Sequence, residues 1–229
     1  LALNGMKTLP GYRDAIRLVA KTVEMKTWPE AGLYYPQLLI FPYTAARAWR
    51  DGGAREPEMQ VAMGKLLLDL LDLRDRYARE KPRHRGAFPG GEDRSDHLST
   101  ALGLITLINI GQETAERMGV SERYTQALDE AVLYLIKIGD EAKPHNQTTE
   151  ARLGRQTRPR RWDSGLFFAA SFWDLGHWRS QPFTVAMVLE ALTKYALLHE
   201  RSGKPFGAAR LLIQPDPARS GRLVLAPSL

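Results

Sequence analysis

Apolar and polar positions along this chain define two kinds of helical segment. Segments with one apolar face and one charged face span residues 11 to 27, 57 to 80 and 121 to 139. Segments that are apolar nearly all round span residues 37 to 50, 96 to 117 and 181 to 202. A helix that is apolar all round is buried on every side, whereas a one-sided helix lies at a surface. The pattern predicts an all-α fold in which exposed and buried helices alternate.

Proline, glycine and serine mark the ends of these segments. Pro57 and Pro182 stand in first turns, where a backbone N–H has no helical partner to lose. Ser95 is placed to cap the second buried helix, and Gly53 and Gly203 follow helix ends. The boundaries therefore agree with the apolar pattern.

A loop-plus-helix unit occurs in three copies. Each copy begins with Gly, any residue and an aromatic, and it continues to a Thr/Ala step that enters an apolar helix. The loops are Gly32-Leu33-Tyr34, Gly86-Ala87-Phe88 and Gly165-Leu166-Phe167. The steps are Thr44-Ala45, Thr100-Ala101 and Thr184-Val185-Ala186. Such recurrence indicates an array of helical hairpins.

Two layers of helices are the simplest packing for this array. The one-sided helices form an outer layer, and the all-round apolar helices form an inner layer. The inner helices then run in one direction, so their N-termini and the Gly-x-aromatic loops gather at one end. Free N–H groups and partial positive charge at those N-termini favour polar oxygens and anions. We therefore expect a ligand-binding mouth at this end.

The second unit leads from Arg85-Gly86-Ala87-Phe88-Pro89-Gly90-Gly91 to Ser95-Asp96-His97-Leu98-Ser99-Thr100-Ala101. With its two echoes, it resembles the (α/α) toroid repeats of terpenoid cyclases and protein prenyltransferases. In those repeats a Gly-Gly-Phe-like loop precedes Ser/Asp-x-x-x-Thr-Ala at an inner helix. The resemblance covers residues 11 to 202 and implies an α/α toroid, partial or open. Glycan hydrolases, lyases and epimerases with (α/α) toroids use similar aromatic loops, so terpenoid-like and glycan substrates both stay open.

The chain departs from the family pattern in its acidic and metal-binding residues. The stretch Glu92 to His97 lacks the Asp-x-Asp-Asp motif with which triterpene cyclases protonate an alkene. The chain has no cysteine, which prenyltransferases use with Asp and His to bind zinc. No His/Asp/Glu trio has metal-ligand spacing and no Gly-rich phosphate loop is present, so we expect no metal and no cofactor. A closed toroid has more than these three hairpins. The ring is therefore open, completed by a second copy in a homo-oligomer, or completed by sequence before Leu1.

Acid/base chemistry is the leading hypothesis for an activity. Asp96 and His97 stand at the start of a buried helix, where a carboxylate and an imidazole can act as general base and acid. Asp96 is equally suited to cap that helix or to interact with its dipole. Asp163 and Asp174, in the aromatic stretch before the last helix, complete the catalytic candidates. The alternative is a non-catalytic binding or scaffold module whose aromatic loop docks a partner.

Aromatic residues are concentrated in the loops of the predicted mouth. The connection from Glu141 to Ser180 is long, and long structured loops are usually functional or disordered. Its aromatics suit a sugar ring, an aromatic ligand or an apolar chain with a polar head, or they plug the top of the helices. The predicted ligand-binding residues are Tyr34, Tyr35, Phe88, Trp162, Phe167, Trp173, His177, Trp178 and Arg179.

One carboxylate interrupts the last apolar helix. Glu190 needs either a partner or a cavity, because a buried charge is costly without one. Lys194, one turn later, offers the partner.

Composition narrows the remaining function classes. The net charge of +6 comes from 32 basic and 26 acidic residues, and many basic residues fall in loop-like segments without interleaved aromatics. We therefore expect no nucleic-acid partner. No apolar run reaches the roughly 18 residues that a membrane span requires. The absence of cysteine and the start at Leu1, which fits a trimmed N-terminus, are compatible with both a cytoplasmic and an exported protein.

The chain divides near residue 203. Residues 1 to 202 are predicted to form the toroid-like domain. Residues 203 to 229 are predicted to form a tail, with short apolar runs at 211 to 213 and 223 to 225 that fit an extended strap or a short hairpin. No strand pattern comparable with the helical one is seen elsewhere.

Overall fold

The computed structural model describes residues 4–32, 35, 37–90, 96–141, 162, 165–169, 177–202, 213–215 and 223–225. Over these residues the protein is mostly helical, which confirms the all-α prediction. The α-helices are α1 (Tyr12–Glu24), α2 (Ile40–Arg50), α3 (Pro57–Glu80), α4 (Asp96–Ile110), α5 (Gln112–Arg117), α6 (Ser121–Glu141) and α7 (Gln181–Ser202). Short 3₁₀ turns occur at Trp28–Glu30 and Pro82–His84. The strands are β1 (Gly165–Ala169), β2 (His177–Ser180), β3 (Ile213–Pro215) and β4 (Leu223–Leu225).

Helix α4 lies at the centre of the fold. Every residue of α4 except Ile108 is buried, and the helix packs against α2, α6 and α7. Its sequence explains this position, because the stretch Ala101 to Ile110 is apolar nearly all round and only a surrounded helix removes such a surface from water.

The three apolar helices run in the same direction. Just before α2, Gln37 accepts a hydrogen bond from the Ser99 hydroxyl in the first turn of α4, at 3.0 Å. Near the other end of α4, Asn109 accepts a hydrogen bond from Lys194 of α7, at 3.1 Å. The same lysine lies 3.8 Å from Asp51, the residue that follows α2. The starts of α2 and α4 therefore lie side by side, and the later turns of α2, α4 and α7 lie together at the other end.

Helix α7 begins beside the start of α4. The backbone N–H of Gly165 donates to Thr184 Oγ1 in the first turn of α7, at 2.9 Å. Gly165 also packs so closely on Leu98 that a Cβ added to the glycine would lie 2.6 Å from the leucine side chain. The starts of α2, α4 and α7 thus lie at one end, as the sequence predicts. The prediction that all three helices are buried on every side is wrong for α7, which exposes a stripe that includes Leu189 (52%) and Leu197 (44%).

The one-sided helices α1, α3 and α6 form the second layer. Lys65 of α3 donates to Glu24 of α1 at 3.2 Å, and Arg123 of α6 donates to Asp75 of α3 at 2.7 Å. The last turns of α3 reach the start of α4, whereas its early turns lie beside Met118, beyond the end of α4. The two layers are therefore antiparallel, as expected for consecutive helical hairpins.

Two further sequence predictions need correction. The helix predicted over 96 to 117 ends at Ile110, because Gly111, with φ 92° and ψ 159°, breaks the helix before α5 begins. The antiparallel pair β1–β2 was not predicted. Its first strand lacks polar–apolar alternation, and a bulge between Leu166 and Phe168 shifts the register. In the tail, β3 pairs antiparallel with β4, which is the short-hairpin alternative.

Candidate functional site

Two of the repeated loops are tied to the inner helices by a hydrogen bond from a loop N–H to the Thr of the repeat, given by the aromatic residue in one loop and by the glycine in the other. The backbone N–H of Phe88 donates to Thr100 Oγ1 at 3.0 Å, and that of Gly165 donates to Thr184 Oγ1 at 2.9 Å. Both acceptors are fully buried. Thr44, in the first copy, is exposed and donates within its own helix. The Thr of the repeat therefore anchors the loop in the second and third copies.

The glycine that opens the second loop is required by close packing. Gly86 has φ 92°, a left-handed conformation, and an added Cβ would lie 2.1 Å from the carbonyl oxygen of Glu130. Two residues later, the ring of Phe88 packs on α4 at Gly103, where an added Cβ would lie 2.6 Å from the ring. These contacts hold the loop between α4 and α6, close to the start of α4.

Asp96, the first residue of α4, joins three elements at this end of the molecule. The residue is 5% exposed. Its Oδ2 accepts a hydrogen bond from the Tyr77 hydroxyl of α3 at 2.8 Å and lies 2.6 Å from Nδ1 of His84, in the turn after α3. The His84 side chain is 42% exposed, so the pair connects a buried carboxylate to solvent.

Further polar side chains surround this pair. The Tyr134 hydroxyl of α6 lies 3.4 Å from His84 Nδ1, and the Tyr134 ring is tilted against the ring of His97, with centroids 6.3 Å apart. Lys81 donates to the Tyr77 hydroxyl at 3.4 Å. We call Tyr77, His84, Asp96, His97 and Tyr134 the Asp96 cluster.

Tyr77 is held in its protonated form. Burial raises the pKa of its hydroxyl well above 10, and the hydrogen bond to Asp96 and the charge of that carboxylate raise it further. Tyr77 is thus a hydrogen-bond donor to Asp96 at physiological pH, and it fixes the position of Oδ2.

The arrangement is suited to proton transfer by His84. If Nδ1–H is donated to Asp96, the other ring nitrogen, Nε2, is the basic one. A carboxylate that orients an imidazole also stabilises the imidazolium that forms when the ring takes up a proton. A buried orienting carboxylate and a half-exposed ring are the parts that general acid/base catalysis needs.

The structure brings together part of the predicted site. Asp96 and His97 both belong to the Asp96 cluster. Tyr35 is 43% exposed and lies two residues before Gln37, which contacts the start of α4. Apart from Phe88 and Trp162, the remaining predicted positions fall into two groups. The first group lies on the β1–β2 pair: Arg179 is exposed on β2, which also carries His177 and Trp178, and Phe167 is on β1. The second group lies outside the described residues and consists of Asp163, Asp174, Tyr34 and Trp173.

Phe88 and Trp162 fill space inside the protein. Phe88 is fully buried against Gly103, and Trp162 is 5% exposed, with its indole N–H donated to the carbonyl oxygen of Leu135 at 2.9 Å. Both side chains are thus packed inside the protein. A ligand contact at either residue stays a prediction.

Sequence reasoning missed Tyr77, His84 and Tyr134. Tyr77 and Tyr134 occupy buried positions of amphipathic helices, so the sequence does not distinguish them from ordinary core residues. His84 reads as part of a charged loop between Lys81 and Arg85. One signal in the sequence could have indicated the cluster. Tyr77 is the last residue of the apolar face of α3, and a buried tyrosine hydroxyl usually has a polar partner.

Two kinds of feature are absent from the described part of the chain. No helix there combines the length and the apolar character that crossing a membrane requires. Within the same residues, no three His, Asp or Glu side chains gather as a metal-binding group.

The whole chain matches no known protein family, no curated protein and no solved structure.

Proposed function

We propose that this protein is an acid/base enzyme of the α/α toroid type that acts at the N-terminal end of its inner helices. His84 transfers the proton, and Asp96 positions and stabilises its ring. The observation that carries the proposal is the 2.6 Å contact between His84 Nδ1 and the buried Asp96 Oδ2. The His84 side chain itself is 42% exposed, so a substrate can reach it.

The other residues of the cluster have supporting roles in this proposal. Tyr77 donates to Asp96 and keeps the carboxylate in place for His84. Tyr134 lies beside both His84 and His97, so its hydroxyl can relay a proton or contact a substrate oxygen. The helix N-terminus at Asp96 adds partial positive charge, which favours a substrate with polar oxygens.

The contacts of Asp96 favour a hydroxyl-bearing substrate, such as a glycan, over a terpenoid. Protonation of an alkene needs a carboxylic acid that donates its proton. Asp96 Oδ2 instead accepts from Tyr77 and lies against a histidine nitrogen, so it is placed to orient that histidine. An imidazole can remove a proton from a sugar hydroxyl, from an attacking water or from a carbon next to a carbonyl group.

A substrate screen with a matched pair of variants tests this proposal. Purified protein is incubated with p-nitrophenyl glycosides, with uronic-acid and neutral oligosaccharides, and with polyprenyl diphosphates, and turnover is followed by chromophore release and mass spectrometry. We expect turnover of a glycan substrate. His84→Gln should lower kcat by about 10² or more, because general acid/base groups contribute that much. Arg83→Gln, an exposed neighbour in the same 3₁₀ turn, is the control and should leave kcat unchanged.

The pH profile separates a catalytic from a structural histidine. The pH profile of the wild-type kcat/KM should have a limb that disappears in His84→Gln, because a general acid or base must be in one protonation state for the reaction. Full activity in His84→Gln would remove the proposed mechanism. Turnover of polyprenyl compounds alone would reject the glycan assignment, and no binding or turnover of any compound would favour the scaffold alternative.

A further inference from the structure

A second polar cluster lies across the three inner helices, near the end opposite to Asp96. We call it the three-helix cluster, because α2, α4 and α7 all contribute to it or flank it. Its members are Tyr43, Arg47, Asp51, Asn109, Glu190 and Lys194. Of these, only the pair Glu190–Lys194 was expected from the sequence.

The cluster is separate from the Asp96 cluster. Asn109 is 13 residues beyond Asp96 in the same helix, which places their α-carbons about 20 Å apart along the axis. Asn109 is also about two and a half turns beyond Thr100, the residue that anchors the loop of Phe88. Asn109 and Thr100 thus point to opposite sides of α4, and the three-helix cluster lies on the side away from that loop.

The contacts of the cluster leave hydrogen-bonding capacity unused. Lys194 donates to Asn109 Oδ1 at 3.1 Å, but Asn109 Nδ2 is buried and has no hydrogen-bond acceptor among the described residues. The carboxylate of Asp51 lies 3.5 Å from Arg47 and 3.8 Å from Lys194, and that of Glu190 lies 4.0 Å from Lys194. These ion pairs are longer than direct hydrogen bonds, so each of the charged groups keeps capacity for a further hydrogen bond.

The charged side chains of the cluster balance in formal charge and reach solvent, whereas Asn109 is 1% exposed. Two cationic side chains, Arg47 and Lys194, face two carboxylates, Asp51 and Glu190, and each of the four is between 25% and 38% exposed. A buried N–H without a partner is costly, so a ligand oxygen that accepts from Asn109 Nδ2 recovers a full hydrogen bond. The balance of charge favours neither an anion nor a cation.

We propose that the three-helix cluster binds a neutral polyhydroxylated ligand, a sugar or a polyol. A hydroxyl group donates to Asp51 or Glu190 and accepts from Lys194, Arg47 or Asn109, so several hydroxyls on one ring match the alternating donors and acceptors. This site does not depend on the acid/base activity proposed for His84.

A titration followed by ¹H–¹⁵N NMR tests the proposal on the whole chain. Maltotriose and myo-inositol serve as neutral polyols, and sodium phosphate serves as the anionic comparison. The side-chain amide signal of Asn109, assigned by its loss in Asn109→Leu, should shift with a neutral polyol and stay in place with phosphate. Glu190→Gln and Asn109→Leu should each weaken binding by about tenfold, the effect of losing one good hydrogen bond.

A control variant tests whether the loss of binding is confined to this cluster. Thr193→Ser, at an exposed position of the same helix, should bind the polyol as the wild type does. Glu190→Gln keeps a part-exposed position nearly unchanged in shape, so it reports on binding even where Asn109→Leu fails to fold.

Three results would overturn the proposal. The first is no shift of the Asn109 amide with either polyol at concentrations up to about 100 mM, which corresponds to negligible binding energy. The second is an equal shift with phosphate, which would indicate an anion site. The third is unchanged polyol affinity in Glu190→Gln, which would place the ligand elsewhere.

Discussion

Thr184 accepts a hydrogen bond from the backbone N–H of Gly165 at 2.9 Å, and so it fastens β1 to the first turn of α7. The same hydroxyl donates to the carbonyl oxygen of Ser180 at 3.0 Å. Phe88 and Thr100 repeat the first of these contacts one hairpin earlier. The Thr of the repeated unit therefore has a structural role that depends on its hydroxyl and not on its size.

Thr184→Val should destabilise the protein by about 1–3 kcal/mol, because it leaves the buried N–H of Gly165 without an acceptor. Thr184→Ser retains the hydroxyl and should cost less. Urea unfolding followed by tryptophan fluorescence measures both, and the slope of the transition should stay constant. Equal midpoints for the two variants would mean that the hydroxyl contributes nothing.

Gly86→Ala should destabilise the protein more than Gly119→Ala. Both glycines have positive φ, of 92° and 69°, so both variants carry a backbone cost of about 1 kcal/mol or more. Only at Gly86 does the new Cβ meet a backbone atom, the carbonyl oxygen of Glu130, whereas nothing lies within 4 Å at Gly119. Thermal unfolding by circular dichroism should show a clearly larger loss of Tm for Gly86→Ala, and equal losses would contradict the close packing described here.

Asp96→Asn should lower the pKa of Tyr77. Burial, the main cause of the raised pKa, remains in this variant, but the charge of the carboxylate and its acceptance of the Tyr77 proton are weakened. The shift is measurable by NMR with ¹³C-labelled tyrosine ring carbons between pH 8 and the alkaline unfolding transition. Tyr124, which donates to Leu107, is an internal control whose resonance should not move.

Stability should fall as the pH rises above about 10. Burial raises the pKa of Tyr124 and Tyr195 in the folded protein, and the hydrogen bond to Asp129 raises that of Tyr195 further. Their contribution is complete below the unfolded-state pKa of 10.0 and is lost as the pH increases toward the folded-state values, because the unfolded chain releases these protons first.

Each such tyrosine contributes a slope of about 1.4 kcal/mol per pH unit in this range. Urea unfolding at pH 8, 10 and 11 measures the slope, and Tyr124→Phe should reduce it. A free energy of unfolding that does not change between pH 8 and 11 would contradict this prediction.

The helix positions and the burial of α4 could be predicted from the sequence because the information is local. Apolar residues all round 101 to 110 require a surrounded helix, and the one-sided stripes on either side require surfaces. The Thr/Ala steps marked helix starts that the structure places at one end. Prediction of β1–β2 failed because its first strand is apolar throughout and carries a bulge.

The partners of the polar residues could be predicted only in part. Asp96 stood out by its position, but its contact with His84 depends on a 3₁₀ turn that folds a charged loop back over α4. The pair of Glu190 and Lys194 follows from helical spacing. The contact of Lys194 with Asn109 follows from which helices are neighbours, and a single sequence does not reveal that.

The central position of α4 determines the order in which the helices undergo local unfolding. Each outer or edge helix can detach while α4 keeps its remaining neighbours, whereas α4 itself is released only when the assembly comes apart. Amide protons in the middle of α4 should consequently be the last to exchange with deuterium, at a rate governed by global unfolding, with progressively faster exchange toward α1.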